Sequence, residues 1–142
     1  SKIEKLVQES NLSNILMLPM QPRERMERIW SLCDISLVLL RDVPLFTTVI
    51  PSKIFESMAM KLPIVISVPD GEATKIINDT RSGLIVRPEN PEDLAKAVIS
   101  LKKNENLYNE LSNNSLKAAE KFNRKFLALQ MLEYLESLSL NE

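Results

Sequence analysis

The sequence predicts a three-layer α/β fold: a parallel sheet of about four strands, helices on both of its faces, and a helical C-terminal tail. Four short runs rich in Ile, Val and Leu are typical of strands buried on both faces, and they are too short for core helices. Helical patterns alternate with these runs, which favours right-handed crossovers between parallel strands. The four predicted strands are residues 15–18, 35–40, 63–68 and 84–86.

Two helical patterns lie before the second predicted strand. Their apolar faces are Ile3, Leu6 and Val7, and then Met26, Ile29, Trp30 and Cys33. Pro22 suits the first turn of the second helix. The second helix, predicted from Gln21 to Cys33, is long enough to serve as a right-handed crossover between adjacent parallel strands. We therefore expect Ile15–Leu18 to pair directly with Ile35–Leu40, or a second copy of the chain to cover that sheet edge in a homodimer.

The later helices have clearer boundaries. Residues 52–61 follow Pro51, and a helix over 72–78 ends before Gly83. Asn90 is expected to cap the next helix, with Pro91 in its first turn. Residues 104–140 are predicted to be helical with a break near 122–123. Residues 1–142 are expected to form a single domain.

The composition excludes several classes of protein. The chain has no histidine, one cysteine and two glycines, and its 18 basic and 19 acidic residues nearly cancel. Serine–histidine hydrolases, zinc sites and glycine-rich phosphate loops are therefore excluded. We expect no metal, no cofactor and no nucleic-acid partner. The lone thiol, Cys33, favours a reducing, cytoplasmic location.

A ligand site is expected beyond the carboxyl ends of the strands, where loops lead into helices. The longest such loop, residues 41–50, leads into the helix PSKIFESMAM. At about 100° per residue, the polar stripe of this helix carries Ser52, Lys53, Glu56 and Met60. The opposite face carries Ile54, Phe55, Met58 and Ala59.

This stripe suits a nucleoside diphosphate. The main-chain amides of residues 52–54 and the Lys53 ammonium can bind phosphate, and Glu56 can accept hydrogen bonds from a ribose diol. Alternatively, Lys53 and Glu56 are the solvated face of an amphipathic helix. In the neighbouring loops, Met20 and Gln21 can present backbone groups to a base. Gly71 and Glu72 can approach a ligand, although Glu72 also suits a helix start without one.

The segments VPLFTTVIPSKIFESMAMKLPIVISV and GEATKIINDTRSGLIVRPENPEDLAKAV resemble the donor-binding C-terminal domain of family 4 glycosyltransferases, which have the Rossmann-like GT-B fold. Within that family, the chain is most similar to surface-polysaccharide enzymes that transfer N-acetylamino sugars. By this resemblance Glu56 is the second glutamate of an E-x7-E motif and holds the ribose. Thr48 stands where the first glutamate, which faces the donor sugar or phosphate, is expected, and Lys61 stands where many relatives have glycine.

The resemblance also implies an enzymatic activity, its substrates and a further domain. It implies a metal-independent enzyme that transfers a sugar from a nucleotide-sugar, with UDP expected as the nucleotide, to a polysaccharide or lipid-linked acceptor. It implies that an acceptor-binding N-terminal domain and two further strands lie upstream of Ser1, so the 142 residues are expected to be inactive alone. The complete enzyme is expected in the cytoplasm or at the inner face of the membrane, and no catalytic residue is predicted.

The alternative is a non-catalytic α/β interaction or regulatory module of flavodoxin-like or receiver type. A receiver needs clustered carboxylates opposite a lysine at the strand ends. The strand ends offer Asp42 and Asp70 without such a lysine. Shifts of amide NMR signals around Ser52 to Glu56 on addition of UDP would distinguish the two hypotheses.

Overall fold

The computed structural model describes residues 2–139, which form a three-stranded parallel sheet. The strands are β1 (Ser36–Leu39), β2 (Ile64–Ser67) and β3 (Gly83–Val86), and they lie side by side in sequence order. The register places Val38 opposite Ile66, and Ile66 opposite Ile85. The α/β class and the parallel arrangement predicted from the apolar runs are confirmed.

The described residues also form seven α-helices and one short 3-10 helix, Pro44–Thr47. The α-helices are α1 (Lys2–Glu9), α2 (Arg23–Trp30), α3 (Lys53–Ala59), α4 (Glu72–Thr80), α5 (Pro91–Lys103), α6 (Glu105–Lys121) and α7 (Arg124–Ser139). The Asn90 side chain accepts a hydrogen bond from the Asp93 amide at 2.8 Å, so the predicted cap of α5 is confirmed. The predicted break near 122–123 separates α6 from α7.

The core has two halves, one on each face of the sheet. On one face, Val38, Ile64 and Ile66 pack with the buried residues of α3, α4 and α6. On the other, Val65 packs with Ala97 and Leu101 of α5 and with α6. All four β2 side chains are buried, because β2 has a neighbouring strand on each side and helices above and below. This explains why three of its four residues are apolar rather than alternating with polar ones, and the hydroxyl of the fourth, Ser67, donates to the Arg87 carbonyl at 3.1 Å.

The strand predicted at Ile15–Leu18 is not formed, and its predicted pairing with β1 is wrong. These four side chains are 43–80% exposed, and residues 15–18 make no main-chain hydrogen bond within the described part of the chain. An apolar run shows that burial is favourable, but a strand also needs a neighbouring backbone to bond with. β1 accordingly pairs only with β2 among residues 2–139. Covering of its other edge by a second copy of the chain stays a prediction.

Two helix ends also differ from the prediction. α3 is shorter than the predicted 52–61, and α4 runs two residues past Asn78. Arg81, in the left-handed conformation with φ 49°, ends α4 before Gly83 is reached. No helix within residues 2–139 has the length and apolar character needed to cross a membrane.

Candidate functional site

The loops at the carboxyl ends of β1 and β2 pack tightly against each other. A Cβ atom added to Gly71 would lie 1.9 Å from the carbonyl oxygen of Thr47, so only glycine permits this approach. The 3-10 helix that ends at Thr47 is thereby docked onto the turn between β2 and α4. Thr48 and Gly71, both predicted to face the donor sugar or phosphate, consequently belong to adjoining loops.

The turn into α4 is held by its own hydrogen bonds. The Gly71 amide donates to Thr74 Oγ1 at 2.9 Å, and the Thr74 hydroxyl donates to Asp70 Oδ1 at 2.6 Å. The amide of Gly71 is therefore already used and is not a free phosphate donor. Glu72 is exposed beside it, in a shallow groove that also contains Asp70, Asp79 and Lys75. An excess of carboxylates suits sugar hydroxyl groups better than a phosphate.

Helix α3 buries Ile54 and Met58 and exposes Ser52, Lys53 and Glu56, as predicted, but it does not bury Ala59. Its buried residues are Ile54, Ser57 and Met58, whereas Ala59 is exposed. Ser57 is accommodated in the core because its hydroxyl bonds to the Lys53 carbonyl within the helix at 2.6 Å. The expectation that Ala59 lies with the buried face is therefore wrong, because the sheet and α6 touch a narrower stripe of this short helix.

Two adjoining grooves border the exposed face of α3. The α2–α3 groove, of about 370 Å³, is lined by Arg23, Glu24, Met26, Glu27, Trp30, Glu56, Ala59 and Met60. The α3–α7 groove, of about 400 Å³, is lined by Arg23, Ser52, Phe55, Glu56, Ala59, Phe122, Arg124 and Leu127. They share Arg23, Glu56 and Ala59. Phe55, expected on the opposite face, lies in the second groove because its ring packs on Phe122 with centroids 4.9 Å apart.

The structure thus brings together two of the predicted nucleotide-binding residues, Ser52 and Glu56. Lys53 is exposed, lines neither groove and has no ion pair within residues 2–139. The Ile54 amide, expected to be free for phosphate, donates to the Pro51 carbonyl at 3.1 Å. The amides of Ser52 and Lys53 have no main-chain acceptor among the described residues.

The predicted base-binding residues lie outside both grooves. Met20 is 99% exposed. Gln21 is half-buried, and its side-chain amide donates to the Pro19 carbonyl at 2.9 Å. Arg23, two residues later, lines both grooves, and Arg124 at the start of α7 lines the α3–α7 groove. Sequence reasoning missed both arginines, because no local pattern links either of them to α3.

A further cavity lies at the carboxyl ends of β1 and β2. It has a volume of about 370 Å³ and is floored by Leu39, Leu40 and Leu94. Arg41 and Glu89 lie at its rim with their charged atoms 4.0 Å apart. Both side chains of this ion pair are mostly exposed, so it contributes little to stability.

Among residues 2–139, no three His, Cys, Asp or Glu side chains lie close enough to hold a metal ion. Asp70 bonds to Thr74 rather than to a lysine. Among the described residues, Asp70 therefore does not form the carboxylate–lysine pair that a receiver module needs.

A protein family and a curated relative match this chain over most of its length. The family model described as "Glycosyl transferases group 1" matches residues 1–118. An uncharacterised glycosyltransferase of Methanocaldococcus jannaschii is 28% identical over 138 residues, which cover 97% of this chain and 38% of that protein.

Solved structures show the same fold. Sucrose-phosphate synthase from Thermosynechococcus elongatus superposes with a TM-score of 0.79 at 24% identity, over 99% of this chain and 34% of that one. A glycosyltransferase from Rickettsia africae gives a TM-score of 0.76 at 19% identity, over 99% and 36% of the two chains. The C-terminal domain of a group 1 glycosyltransferase from Francisella tularensis gives 0.67 at 17% identity, over 84% and 60%. The chain spans little more than a third of the length of the first two structures and of the archaeal relative.

Proposed function

Because the chain belongs to the glycosyl transferases group 1 family, whose model matches 118 of its 142 residues, we propose that it binds the nucleotide-sugar donor of a glycosyltransferase. The chain is a glycosyltransferase domain with a Rossmann-like α/β fold of the GT-B type. The observation that carries the proposal is the position of Glu56 and Ser52, which line one groove on the exposed face of α3.

In this proposal Glu56 accepts hydrogen bonds from the ribose diol. A carboxylate has two acceptor oxygens and no donor, which matches two vicinal hydroxyl groups. The main-chain amide of Ser52 and the Lys53 ammonium face the diphosphate. Because the leaving group gains negative charge as the sugar departs, donors held at that position stabilise the transition state.

The finer points of the proposal come from the family 4 resemblance. The donor is a UDP-linked sugar, an N-acetylamino sugar in particular, and the acceptor is a polysaccharide or a lipid-linked glycan. Thr48 and Glu72 face the sugar, and Met20 and Gln21 lie toward the base. The acceptor is bound by a further domain of the complete, cytoplasmic enzyme, which uses no metal or cofactor.

The test is calorimetric titration of the chain with UDP, GDP and ADP. We expect UDP to bind, and Glu56→Gln to weaken binding by about 1.5–3 kcal/mol, because a charge-assisted acceptor is lost. Glu72→Gln is the matched control and should have a smaller effect. Equal effects of the two substitutions would contradict the ribose assignment, and binding of none of the three nucleotides would contradict the proposed function.

Lys53 is tested separately by salt dependence. Lys53→Ala should weaken UDP binding and make the remaining affinity less sensitive to ionic strength, because a phosphate counter-charge is removed. An unchanged affinity at low salt would place the Lys53 ammonium in solvent.

A further inference from the structure

Helix α7 carries a large apolar surface that the rest of the described chain leaves uncovered. Every side chain from Arg124 to Leu138 is exposed, and α7 adjoins α6. Its large apolar side chains, each 45–62% exposed, are Phe126, Leu127, Leu129, Met131, Leu132, Tyr134, Leu135 and Leu138. In water, a helix of 16 residues gains most of its stability by packing an apolar face. An apolar surface of this extent therefore indicates a partner.

Most of these side chains form one stripe along the helix. At about 100° per residue, positions three or four apart share a face. The stripe consists of Leu127, Met131, Leu132, Tyr134, Leu135 and Leu138. Phe126 and Leu129 lie on the opposite face. The centre of the stripe, at positions 127, 131, 134 and 138, has spacings that are the same in both directions, so an antiparallel copy of α7 presents a matching stripe.

The charges of α7 are ordered against the dipole of the helix. Arg124 and Lys125 stand in its first turn, which has no acidic residue, and its last turn has no basic residue. Glu133 and Glu136 lie in its second half. Cations at the positive end and carboxylates toward the negative end are unfavourable within one helix. An antiparallel second helix places its carboxylates beside these cations, so the same charges become favourable between two copies.

We propose that α7 is an interface between two copies of this chain, with the apolar stripes packed face to face and the two helices antiparallel. Lys125 and Glu136 are about three turns apart and border the same edge of the stripe. In a two-fold antiparallel pair this edge meets itself, which places Lys125 beside the partner's Glu136. A parallel pair would instead bring like charges together, which is unfavourable.

The exposed surface is sufficient for a dimer of modest affinity. The six large side chains of the stripe, each about half exposed, leave roughly 600 Å² on one copy, so a symmetric pair buries about 1,200 Å², the lower limit for a specific interface. A membrane surface fits less well, because the carboxylates of Glu133 and Glu136 offset the charges of Arg124 and Lys125. Leu127 also lines the α3–α7 groove, so one end of the interface adjoins the candidate site.

The experiment measures the oligomeric state of the whole chain by sedimentation velocity over a series of concentrations. Leu135→Gln removes an apolar side chain from the stripe. The matched control, Leu129→Gln, makes the same change on the opposite face of the same helix, at 51% exposure against 54%. Lys125→Glu and Glu136→Lys each reverse one charge, and the double variant restores opposite charges across the interface.

We expect the wild type to form a dimer whose dissociation constant rises about tenfold or more in Leu135→Gln, because apolar burial is lost in both copies. Leu129→Gln should match the wild type. Each charge reversal should raise the dissociation constant about two- to tenfold, and the double variant should return it to within about twofold of the wild-type value. None of these measurements depends on nucleotide binding, so the inference and the proposed function are tested separately.

Three results would overturn the inference. A chain that stays monomeric over the whole series would show that α7 does not join two copies, and binding of that monomer to phosphatidylcholine–phosphatidylglycerol vesicles would assign the stripe to a membrane surface. A dimer that Leu135→Gln and Leu129→Gln affect equally would be held by another surface, such as the edge of β1 that is unpaired within residues 2–139. A double charge variant that dimerises no more tightly than the single variants would refute the antiparallel arrangement.

Discussion

Replacing Gly71 by alanine tests how the candidate site is built. The added Cβ would lie 1.9 Å from the Thr47 carbonyl oxygen and 2.7 Å from its carbonyl carbon, whereas real Cβ contacts stay beyond 3.0 Å. One of the two loops must therefore move by about 1 Å, and backbone cannot yield as a flexible side chain does. We expect the free energy of unfolding to fall by about 1–3 kcal/mol. The corresponding fall in Tm is roughly 3–12 °C.

The direction of the stability change distinguishes a tight contact at Gly71 from an open one. Gly71 has φ 168°, an extended conformation open to any residue, so the substitution causes no backbone strain of its own. Without the contact, alanine would stabilise the protein by about 0.4–1 kcal/mol, because it restricts the unfolded chain. Urea unfolding followed by circular dichroism measures the difference.

A second variant identifies the atoms responsible. The clash is with the main chain of Thr47, so adding Thr47→Ala to the Gly71→Ala variant should restore no stability. A Gly71→Ala protein as stable as the wild type, or more stable, would show that the two loops do not pack as described.

Two further predictions concern polar groups away from the grooves. Ser115→Ala should lower the free energy of unfolding by about 1–2 kcal/mol, because this fully buried hydroxyl donates to the Leu62 carbonyl, just before β2, at 2.8 Å. Urea unfolding measures the change, and Ser100→Ala, which removes a hydroxyl that bonds within its own helix, is the control. A loss no larger than that of the control would contradict the prediction. Burial raises the pKa of Tyr108 above its ordinary value of 10.0, because the folded protein favours the neutral phenol. The contribution of the neutral phenol to folding stability is therefore complete below pH 10.0 and is lost as pH rises through the folded-state pKa. In Tyr134→Phe, which leaves Tyr108 as the remaining tyrosine, absorbance should show ionisation above pH 10.0, and ionisation at or below it would be the contrary result.

The starts of the helices and the positions of the core strands could be predicted from the chemistry of neighbouring residues. Asn90 caps α5 because its side chain satisfies an amide three residues away, which is a local relation visible in the sequence. Val65 and Ile66 lie in a strand covered on both faces, and a short β-branched run signals that environment directly. The sequence predicts that the backbone at Gly71 can approach a ligand, but it does not predict that Gly71 packs against the Thr47 carbonyl.

The candidate site was predicted only in part. Glu56 and Ser52 share a groove because they are one helical turn apart, a spacing that the sequence contains. Arg23 and Arg124 join them through the packing of three helices, and no periodicity encodes that. Lys53 has the right charge and spacing, yet it lines neither groove.

The sequence by itself determined the fold class and the parallel order of three strands, because these depend on burial patterns carried by nearby residues. Its resemblance to glycosyltransferases is confirmed at the level of the group 1 family. The tertiary structure alone decided that Ile15–Leu18 is unpaired within residues 2–139, that Ala59 and Phe55 border a groove, and that two arginines line the same groove as Glu56. The physical reason is the same in each case. Strand pairing and groove formation require a second segment at a defined distance, and apolar periodicity specifies that a surface is buried without specifying what covers it.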